Sequence, residues 1–404
     1  MLDIPAIRSQ FPALARRVGS EPAAYLDGPG GTQVPSGVID AMSGFLARGG
    51  SNLHGPFASS HDTDAVLDAA RAAVADLYGA RSDEIVFGQN MTSLTYATSR
   101  ALARTWDRGD NIVLSRLDHD ANVTPWTQAA FDAGVDVRWI DFLPERECTL
   151  DLDTLDAALD ERTRLVAFSH ASNAVGTITP VADIVDRAHR VGALTYVDAV
   201  HYTPHGLVDV GSTGTDFLVS SAYKWFGPHM GCLYGASRHL GTIEPYKLRP
   251  SPDTAPDRWE TGTQSFESLA GVAAAVDYLA SLGDGDDRRS QLVTASEMIT
   301  SYEAGLSERF LAGIAEMPAV RLAGRTGSEG RTPTFAIDVA GRLPSEVAGI
   351  LGESGIFVWS GDYYAVEVMA RLGRSDHGLV RIGFVHYNTA AEVDRVLAAL
   401  DTLA

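Results

Sequence analysis

The most constraining feature of this 404-residue chain is a series of short apolar segments between residues 84 and 235 that alternate with helix-like segments. This alternation is typical of parallel α/β units, in which a helix returns the chain to the start of the next strand. Strands are predicted at residues 84–87, 111–115, 136–140, 164–169, 194–198, 216–220 and 231–235, with helices such as 94–106 and 181–191 between most of them. We therefore expect an α/β fold with a mostly parallel seven-stranded sheet, and a ligand beyond the carboxyl ends of its strands.

The length and the pattern after residue 283 indicate a second domain, because 404 residues are many for one hydrophobic core. An acidic turn at 283–287 precedes a long predicted helix, 289–317. Strands at 332–339, 356–359 and 379–382 then alternate with helices at 344–353 and 390–403. We expect an N-terminal arm over 1–20, a large domain over 21–285 and a small α+β domain over 286–404, with the arm folded back onto the small domain.

Charge and cysteine content exclude several classes of protein. The chain has 32 Lys and Arg against 52 Asp and Glu, a net charge of −20, which argues against nucleic acid or an anionic membrane as partner. It has no apolar run long enough to span a bilayer and no signal-peptide pattern at its start. Its two cysteines, Cys148 and Cys232, are too few for a disulfide framework or a multi-thiolate zinc site. We expect a cytoplasmic protein with no membrane or nucleic-acid partner.

Two predicted strands end in side chains that suit one particular cofactor. The run 217–219 leads through two serines to Lys224, in a turn closed by Gly227-Pro228, and the run 193–197 ends in Asp198. Pyridoxal phosphate requires a lysine that forms a Schiff base with its aldehyde and an acid that keeps its ring nitrogen protonated. A lone lysine after a strand is more often a solvated surface residue, so the prediction depends on further partners.

The segment Asn90–Ser93 could bind the phosphate of such a cofactor. It lies between a predicted strand and a predicted helix, where backbone N–H groups and hydroxyls face an anion. An ordinary helix cap explains the same residues, and the two interpretations are compatible. Ser221 and Tyr223, on either side of Ala222, could add hydroxyl donors.

Three more polar residues are candidates for the site, each with a structural alternative. Asn173 follows a strand and could contact the cofactor ring, although an isolated Asn is more often a turn former. His201 could face the ring or be a structural histidine. Arg381 lies in an apolar strand, so its guanidinium must bind a carboxylate, either of the protein or of an amino-acid substrate.

Together these segments resemble the fold type I pyridoxal-phosphate enzymes, specifically the class V aminotransferase and cysteine desulfurase superfamily. The resemblance extends from Tyr25 to about Asp394. The motifs that carry it are Tyr25-Leu26-Asp27, Asn90-Met91-Thr92-Ser93, Asp118-His119-Asp120-Ala121-Asn122, Ser172-Asn173-Ala174-Val175-Gly176, Val197-Asp198-Ala199-Val200-His201, Ser221-Ala222-Tyr223-Lys224, Glu260-Thr261-Gly262-Thr263 and Tyr387-Asn388-Thr389.

The resemblance implies a role for each matching residue. Lys224 would hold the cofactor, Asp198 would pair with its ring nitrogen, and Asn173 and His201 would lie at the ring. Thr263 resembles a threonine that reaches the phosphate from a second subunit, which implies a homodimer with shared active sites. Thr92, Ser221, Tyr223 and Thr263 would hold the phosphate, and Met91 would be a further contact of the cofactor. The substrate contacts would be Gly30, His54, Asn173, Tyr364 and Arg381.

Two departures from the desulfurase pattern matter. Those enzymes carry a nucleophilic cysteine in a loop, Arg-Thr-Gly-His-His-Cys, whereas the corresponding stretch here, Trp359–Tyr364, has no thiol. On the simplest register Asp120 occupies the position of the histidine that covers the cofactor ring, where it would be an acid/base group. A shift of one residue would place His119 there instead, and the sequence leaves both registers open.

We expect a pyridoxal-phosphate enzyme that acts on a small amino acid, with the amine of Lys224 as the base that removes the Cα proton. The desulfurase-like pattern without the cysteine favours β-elimination of the C–S lyase type, without a persulfide. A class V aminotransferase, an amino-acid epimerase and a non-catalytic protein of the same fold stay open, because the fold does not determine the step after proton removal.

Overall fold

The computed structural model describes residues 2–403. Its helices are α1 (Ile4–Ser9), α2 (Ser36–Arg48), α3 (Ala58–Tyr78), α4 (Met91–Ala103), α5 (Thr124–Ala133), α6 (Leu152–Ala158), α7 (Val181–Arg190), α8 (Val210–Thr213), α9 (Ser237–Thr242), α10 (Phe266–Ala280), α11 (Arg288–Ala315), α12 (Pro344–Glu353), α13 (Val366–Arg371) and α14 (Ala390–Asp401). None of the helices within residues 2–403 is both long and apolar enough to cross a lipid bilayer.

The strands form one large sheet, one smaller sheet and three short pairs. They are β1 (Arg17–Val18), β2 (Glu21–Pro22), β3 (Ala24–Tyr25), β4 (Ile85–Gly88), β5 (Asn111–Ser115), β6 (Asp136–Ile140), β7 (Phe142–Leu143), β8 (Thr149–Leu150), β9 (Thr163–Ser169), β10 (Leu194–Asp198), β11 (Phe217–Ser221), β12 (Gly231–Gly235), β13 (Val320–Ala323), β14 (Thr334–Val339), β15 (Ile356–Phe357), β16 (Trp359–Gly361) and β17 (Leu379–Gly383).

The large sheet confirms the predicted α/β fold with seven mostly parallel strands. Its order is β4-β12-β11-β10-β9-β5-β6, and only β12 runs antiparallel to its neighbours. In the parallel part, Asp198 is in register with Ser169 on β9 and with Val219 on β11. The strand ends that carry Asp198 and Lys224 are therefore adjacent.

The large sheet is apolar on both faces, because helices cover each of them. Along β5, Val113 packs into one core while Ile112 and Leu114 pack into the other. This is the period-2 alternation of a strand, and a sheet buried on both sides needs apolar residues in both phases. The continuous apolar runs of the sequence follow from this burial.

The small domain is built on an antiparallel sheet of order β13-β14-β17-β16. Side chains of α11, α12 and α14 pack against that sheet in one apolar core. Ala24 and Leu26 belong to the same core, and β3 pairs with β15. Part of the segment that the prediction assigns to the large domain, residues 24–26, is therefore buried against the small sheet. The predicted start of the small domain lies two residues before Arg288, the first residue of α11.

Candidate active site

Two connected cavities lie beyond the carboxyl ends of β9, β10 and β11. The inner cavity, of about 360 Å³, is lined by Asn90, Met91, Thr92, His119, Ser169, Ala171, Asn173, Asp198, Val200, His201, Ser221, Tyr223, Lys224 and His229. The outer cavity, of about 640 Å³, is lined by Gly30, Thr92, Tyr96, His119, Asp120, Ala121, Thr124, Pro125, Asn173, Tyr223, Lys224, Trp359, Ser360, Gly361, Asp362, Tyr363, Tyr364 and Arg381. Lys224 lines both, so it lies where they meet.

Lys224 lies in the turn that follows β11, with its amine in a buried position. Its Nζ donates a hydrogen bond to the carbonyl oxygen of Pro29. Burial, followed by the charge of Arg381, lowers the pKa of Lys224 to about 7, although Asp198 and Asp27 oppose the shift. An amine that is partly unprotonated at neutral pH can act as a nucleophile and as a base.

Asp198 ends β10 inside the inner cavity. Its Oδ1 accepts a hydrogen bond of 2.9 Å from the backbone N–H of Val200. Burial raises the pKa of Asp198 to about 6, and the contact with Val200 and the charge of Lys224 limit the rise. The acid is therefore mainly ionised at neutral pH and can pair with a protonated ring nitrogen.

Asp118 is a second buried acid near Asp198, one to which sequence reasoning gave no role. Its carboxylate accepts hydrogen bonds from Asn122 Nδ2 at 2.8 Å and from the N–H of Ser169 at 3.1 Å. Burial, with a contribution from the negative charge of Asp198, raises the pKa of Asp118 to about 8. Its place after the end of β5 was the signal that could have identified it.

The amino end of α4 faces the inner cavity, as the phosphate prediction requires. Asn90 caps the helix, because its Oδ1 accepts from the N–H of Ser93 at 2.9 Å. The N–H of Met91 donates to Ser221 Oγ at 2.9 Å, which connects the helix end to β11. The structure brings Met91, Thr92, Ser221 and Tyr223 together on this cavity.

Asn173 and His201 also lie on the inner cavity. His201 Nε2 is 3.0 Å from the hydroxyls of both Thr332 and Thr334, and burial holds the pKa of His201 well below its ordinary value. Asn173 Nδ2 donates to the carbonyl of Tyr363 at 3.0 Å, whereas its Oδ1 and Ser169 Oγ are buried without a partner. Buried polar atoms without partners indicate room for a polar ligand, so the residues present fit pyridoxal phosphate.

His119, and not Asp120, lines the inner cavity with Lys224. His119 is the cap of the short turn Asp120–Asn122, with Nδ1 accepting from the N–H of Ala121 at 3.0 Å. Burial, together with the nearby charges of Lys224 and Arg381, lowers the pKa of His119 to about 3. Asp120 lines only the outer cavity, so of the two registers that the sequence left open, this geometry favours the one shifted by one residue.

Arg381 is a buried cation on the outer cavity. Its Nη1 donates to the carbonyl oxygen of Asn173 at 3.0 Å, and its guanidinium lies 4.4 Å from the ring centroid of Tyr363. Its Nε is buried without a partner, and burial lowers the pKa of Arg381 to about 10. Of the two carboxylates that the sequence left open, this geometry favours one supplied by a ligand.

The remaining predicted substrate and cofactor contacts fall in two groups. Gly30 and Tyr364 line the outer cavity, and a Cβ at Gly30 would come within 2.4 Å of Trp359 Nε1. His54 and Thr263 line neither cavity. His54 has 77% of its side chain exposed and pairs with Asp64. The structure therefore does not bring these two residues to Lys224 of the same chain.

The loop at the position of the desulfurase cysteine is held in an uncommon backbone conformation. Tyr363 and Tyr364 have positive φ angles of 54° and 58°, which cost free energy for residues with a large side chain. The carbonyl of Tyr363 accepts from Asn173, and that of Tyr364 accepts from the N–H of Asp120 at 2.6 Å. The strained conformation thus connects this loop to both walls of the outer cavity.

Both thiols lie away from the two cavities. The exposed fraction is 1% for Cys148 and 0% for Cys232. Burial raises the pKa of Cys148 to about 11 and also raises that of Cys232, so both are poor nucleophiles. Neither cysteine is among the described residues that line the two cavities.

Comparisons with known proteins identify the family. A family model described as aminotransferase class-V matches residues 24–396. The chain is 32% identical to a probable cysteine desulfurase 2 of Mycobacterium leprae, over 99% of this chain and 96% of that protein. It is also 32% identical to a cysteine desulfurase of Dickeya dadantii, over 98% of this chain and 96% of that protein.

Two solved structures superimpose on this chain over its whole length. The apo structure of a cysteine desulfurase from Thermococcus onnurineus superimposes with a TM-score of 0.89 at 27% identity, covering 100% of this chain and 98% of that one. A cysteine desulfurase from Escherichia coli gives 0.86 at 28% identity, with the same coverage. The fold is that of these enzymes, and the chain belongs to the class V aminotransferase family.

Proposed function

We propose that this chain breaks the C–S bond of a small amino acid by β-elimination, without forming a persulfide on one of its own cysteines. Its cofactor is pyridoxal 5'-phosphate. The observation that carries the proposal is an amine with a pKa of about 7, at the junction of two cavities whose described walls contain no thiol. The relatives named cysteine desulfurases support sulfur-containing substrates.

The inner cavity has the groups that would hold the cofactor. Asp198 would pair with the ring nitrogen, and the amino end of α4 with Thr92, Ser221 and Tyr223 would bind the phosphate. When bound, pyridoxal phosphate supplies an electron sink that stabilises negative charge at the substrate Cα. Asp198 would be the acid that makes this sink effective, and its hydrogen bond with the N–H of Val200 orients its carboxylate.

The protein's own groups would bind the substrate and move its proton. Arg381 binds the α-carboxylate through two of its N–H groups, as a guanidinium does best. Lys224 takes the proton from Cα, and its pKa near 7 leaves a large fraction of the amine free to do so. The hydrogen bond to Pro29 orients Nζ in the free enzyme.

Loss of the sulfur group completes the reaction. The Cβ–S bond breaks, its electron pair leaves with sulfur, and the departing sulfur takes up a proton. With cysteine, one water is consumed and the products are hydrogen sulfide, pyruvate and ammonia. No thiol of the enzyme is needed, because the sulfur leaves as a free molecule.

The test supplies cysteine, cystine and alanine separately to the holoenzyme. We expect pyruvate and sulfide together from cysteine, and none from Lys224→Ala. Pyridoxamine phosphate formed from alanine, without sulfide from cysteine, would indicate an aminotransferase instead. Exchange and inversion at Cα would indicate an epimerase, and no reaction with any amino acid would indicate a non-catalytic protein. Borohydride reduction followed by peptide mass analysis should label Lys224 in every case in which it holds the cofactor.

A homodimer with shared sites is part of the proposal. Thr263 is exposed and lines neither cavity of its own chain, as a residue that serves a second subunit would be. Sedimentation analysis of the holoenzyme should give twice the mass of one chain.

A further inference from the structure

The outer cavity is larger and more acidic than cysteine requires. Its volume of about 640 Å³ lies in the range of cavities that hold ligands much larger than cysteine. Two carboxylates, Asp120 and Asp362, line it, and the proposed reaction uses neither. Since this cavity opens from Lys224, its outer part would contact whatever the substrate carries beyond its β-carbon.

The part of the outer cavity next to Lys224 determines how an amino acid would be oriented. Arg381 is 5% exposed with an unpartnered Nε, and Asn173 is 9% exposed with an unpartnered Oδ1. Such buried polar atoms are available to a polar ligand, and a guanidinium pairs best with a carboxylate. An amino acid that binds here has its α-carboxylate at Arg381 and its side chain free to extend outward.

Trp359 marks the direction from Arg381 towards the solvent. The two residues are directly opposite each other on β16 and β17, so their side chains lie on the same face of the small sheet. Arg381 is buried, whereas 54% of Trp359 is exposed. Gly30 leaves room for the indole ring, since a Cβ there would collide with it.

Two carboxylates and two exposed aromatic residues line the outer cavity, and we call these four residues its rim: Asp120, Asp362, Trp359 and Tyr364. The N–H of Asp120 donates to the carbonyl of Tyr364 at 2.6 Å, and the N–H of Tyr364 donates to Asp362 Oδ1 at 3.0 Å. His119 stacks on Tyr364 with ring centroids 5.5 Å apart. Asp120 and Asp362 thus both contact the backbone of Tyr364, a residue that is 69% exposed.

The protein does not neutralise this rim. The Lys and Arg side chains that line the outer cavity are Lys224 and Arg381. In the proposed reaction, Lys224 moves the Cα proton and Arg381 binds the α-carboxylate. No Lys or Arg among residues 2–403 forms an ion pair with Asp120 or Asp362; Asp120 Oδ2 accepts only the hydroxyl of Thr124, at 2.8 Å. The unpaired carboxylates therefore favour a cation from outside the protein.

We infer that the preferred substrate is an amino acid whose side chain carries a cationic group, an ammonium or a quaternary ammonium, beyond the β leaving group. The cation lies between Asp120 and Asp362 and against the faces of Trp359 and Tyr364, while the α-carboxylate lies at Arg381. Carboxylate pairing and cation–π attraction each contribute modestly at partly exposed sites, so together they should give about a tenfold preference over a neutral side chain. This inference rests on the proposed function for the position of the amino acid.

The first test measures binding without turnover. Absorbance titrations of the holoenzyme with lysine, norleucine and 2-aminoadipate compare a cationic, a neutral and an anionic side chain of similar length. We expect the dissociation constant of lysine to be about tenfold lower than that of norleucine, and that of 2-aminoadipate to be the highest. Lysine binding no tighter than norleucine would overturn the inference.

Variants of Asp120 and Asp362 then test whether these two carboxylates cause the preference for lysine over norleucine. The double change Asp120→Asn and Asp362→Asn should reduce the lysine-to-norleucine ratio to about one, because it removes both charges with little change of shape. Asp132→Asn is the matched control, since Asp132 is an exposed carboxylate of α5 that lines neither cavity. An unchanged ratio in the double variant would place the preference elsewhere and contradict the assignment.

Turnover separates failure of this inference from failure of the proposed function. S-(2-aminoethyl)cysteine and water should give 2-aminoethanethiol, pyruvate and ammonia, with kcat/KM about tenfold above that of S-propylcysteine. Equal pyruvate formation from both would support β-elimination and refute the cation site. A preference for lysine in titrations, without pyruvate from either thioether, would support the cation site and refute β-elimination.

Discussion

At the scale of single residues, the proposed chemistry depends on a lysine whose surroundings destabilise its charged form. Burial is the largest cause of the lowered pKa of Lys224, and the positive charge of Arg381 adds to it. Asp198 and Asp27 attract the ammonium and keep the shift moderate. The result is an amine close to neutrality at physiological pH, which is the condition for a base that must both take and return a proton.

The same shift should be visible in the pH dependence of stability. The pKa of Lys224 is about 7 in the folded chain, against 10.5 for an ordinary lysine such as that of the unfolded chain. At pH values between the two, the unfolded state therefore binds more protons than the folded state. The free energy of unfolding of the cofactor-free protein should therefore rise with pH in this window, by roughly 1.4 kcal/mol per pH unit more than in Lys224→Met. Urea denaturation at several pH values between 7.5 and 9.5 measures the difference, and parallel curves would contradict the lowered pKa.

Replacement of Arg381 should separate substrate binding from cofactor binding. Arg381→Ala should raise the apparent dissociation constant for amino acids roughly ten- to hundredfold, because a hydrogen bond to a charged group contributes about 1.5–3 kcal/mol. The absorption spectrum of the bound cofactor should stay unchanged. Arg371→Ala removes an arginine paired with Asp141 on the surface and serves as control. Unaltered amino-acid affinity in Arg381→Ala would remove its assigned role.

At the scale of elements, the proposed sulfur chemistry depends on the segment from β16 to Tyr364. It lines the outer cavity together with Lys224, and the contacts of Asn173 and Asp120 hold its carbonyls. In the desulfurases that this chain resembles, the corresponding loop carries the nucleophilic cysteine, whereas the loop here carries Tyr364. The difference lies in the side chain that the loop presents to the cavity.

Tyr364→Cys should therefore acquire slow persulfide formation from cysteine. A thiol there would line the cavity and stay solvent-accessible, as Tyr364 is, so its thiolate could form at neutral pH far more readily than those of the buried Cys148 and Cys232. Release of thiocyanate on treatment with cyanide measures the persulfide, with the unmodified protein as the blank. No sulfur transfer in the variant would mean that the loop geometry also differs from that of the desulfurases.

At the scale of the whole molecule, the outer cavity exists because two domains and the N-terminal segment meet. Lys224 comes from the large sheet, Arg381 from the small sheet, and Pro29 from the chain that leads out of β3. Pairing of β3 with β15 holds this segment on the small domain while Pro29 contacts Lys224. A movement of the small domain would therefore change the shape of the outer cavity more than that of the inner cavity.

Subunit mixing should reveal whether the sites are shared. If Thr263 serves the phosphate of the partner chain, Lys224→Ala and Thr263→Val subunits dissociated and reassociated together should form heterodimers with one intact site. Activity at low cofactor concentration should then exceed that of either parent. Activity no higher than that of the better parent would show that Thr263 does not act across the interface. Each variant refolded alone is the control.

Much of the site could be predicted because strand ends meet at one edge of a parallel sheet. That rule brought together Asp198, Ser221 and Lys224, and placed the helix end at Asn90 opposite them. It could not predict that Asp118 is a buried neighbour of Asp198, since this depends on how β5 and β9 align. It also could not choose between His119 and Asp120, because the short turn after residue 119 sets which side chain faces inward.

The sequence by itself determined the sheet, the helix caps and the residues available for chemistry, because these depend on local periodicity and on residue type. Only the tertiary structure decided which polar atoms are buried without partners, which thiols are inaccessible and which carboxylates face a cavity. Those properties arise from contacts between segments far apart in the chain, such as Arg381 with Asn173 and Pro29 with Lys224. Burial and electrostatics at the site are therefore properties of the assembled chain and of no single motif.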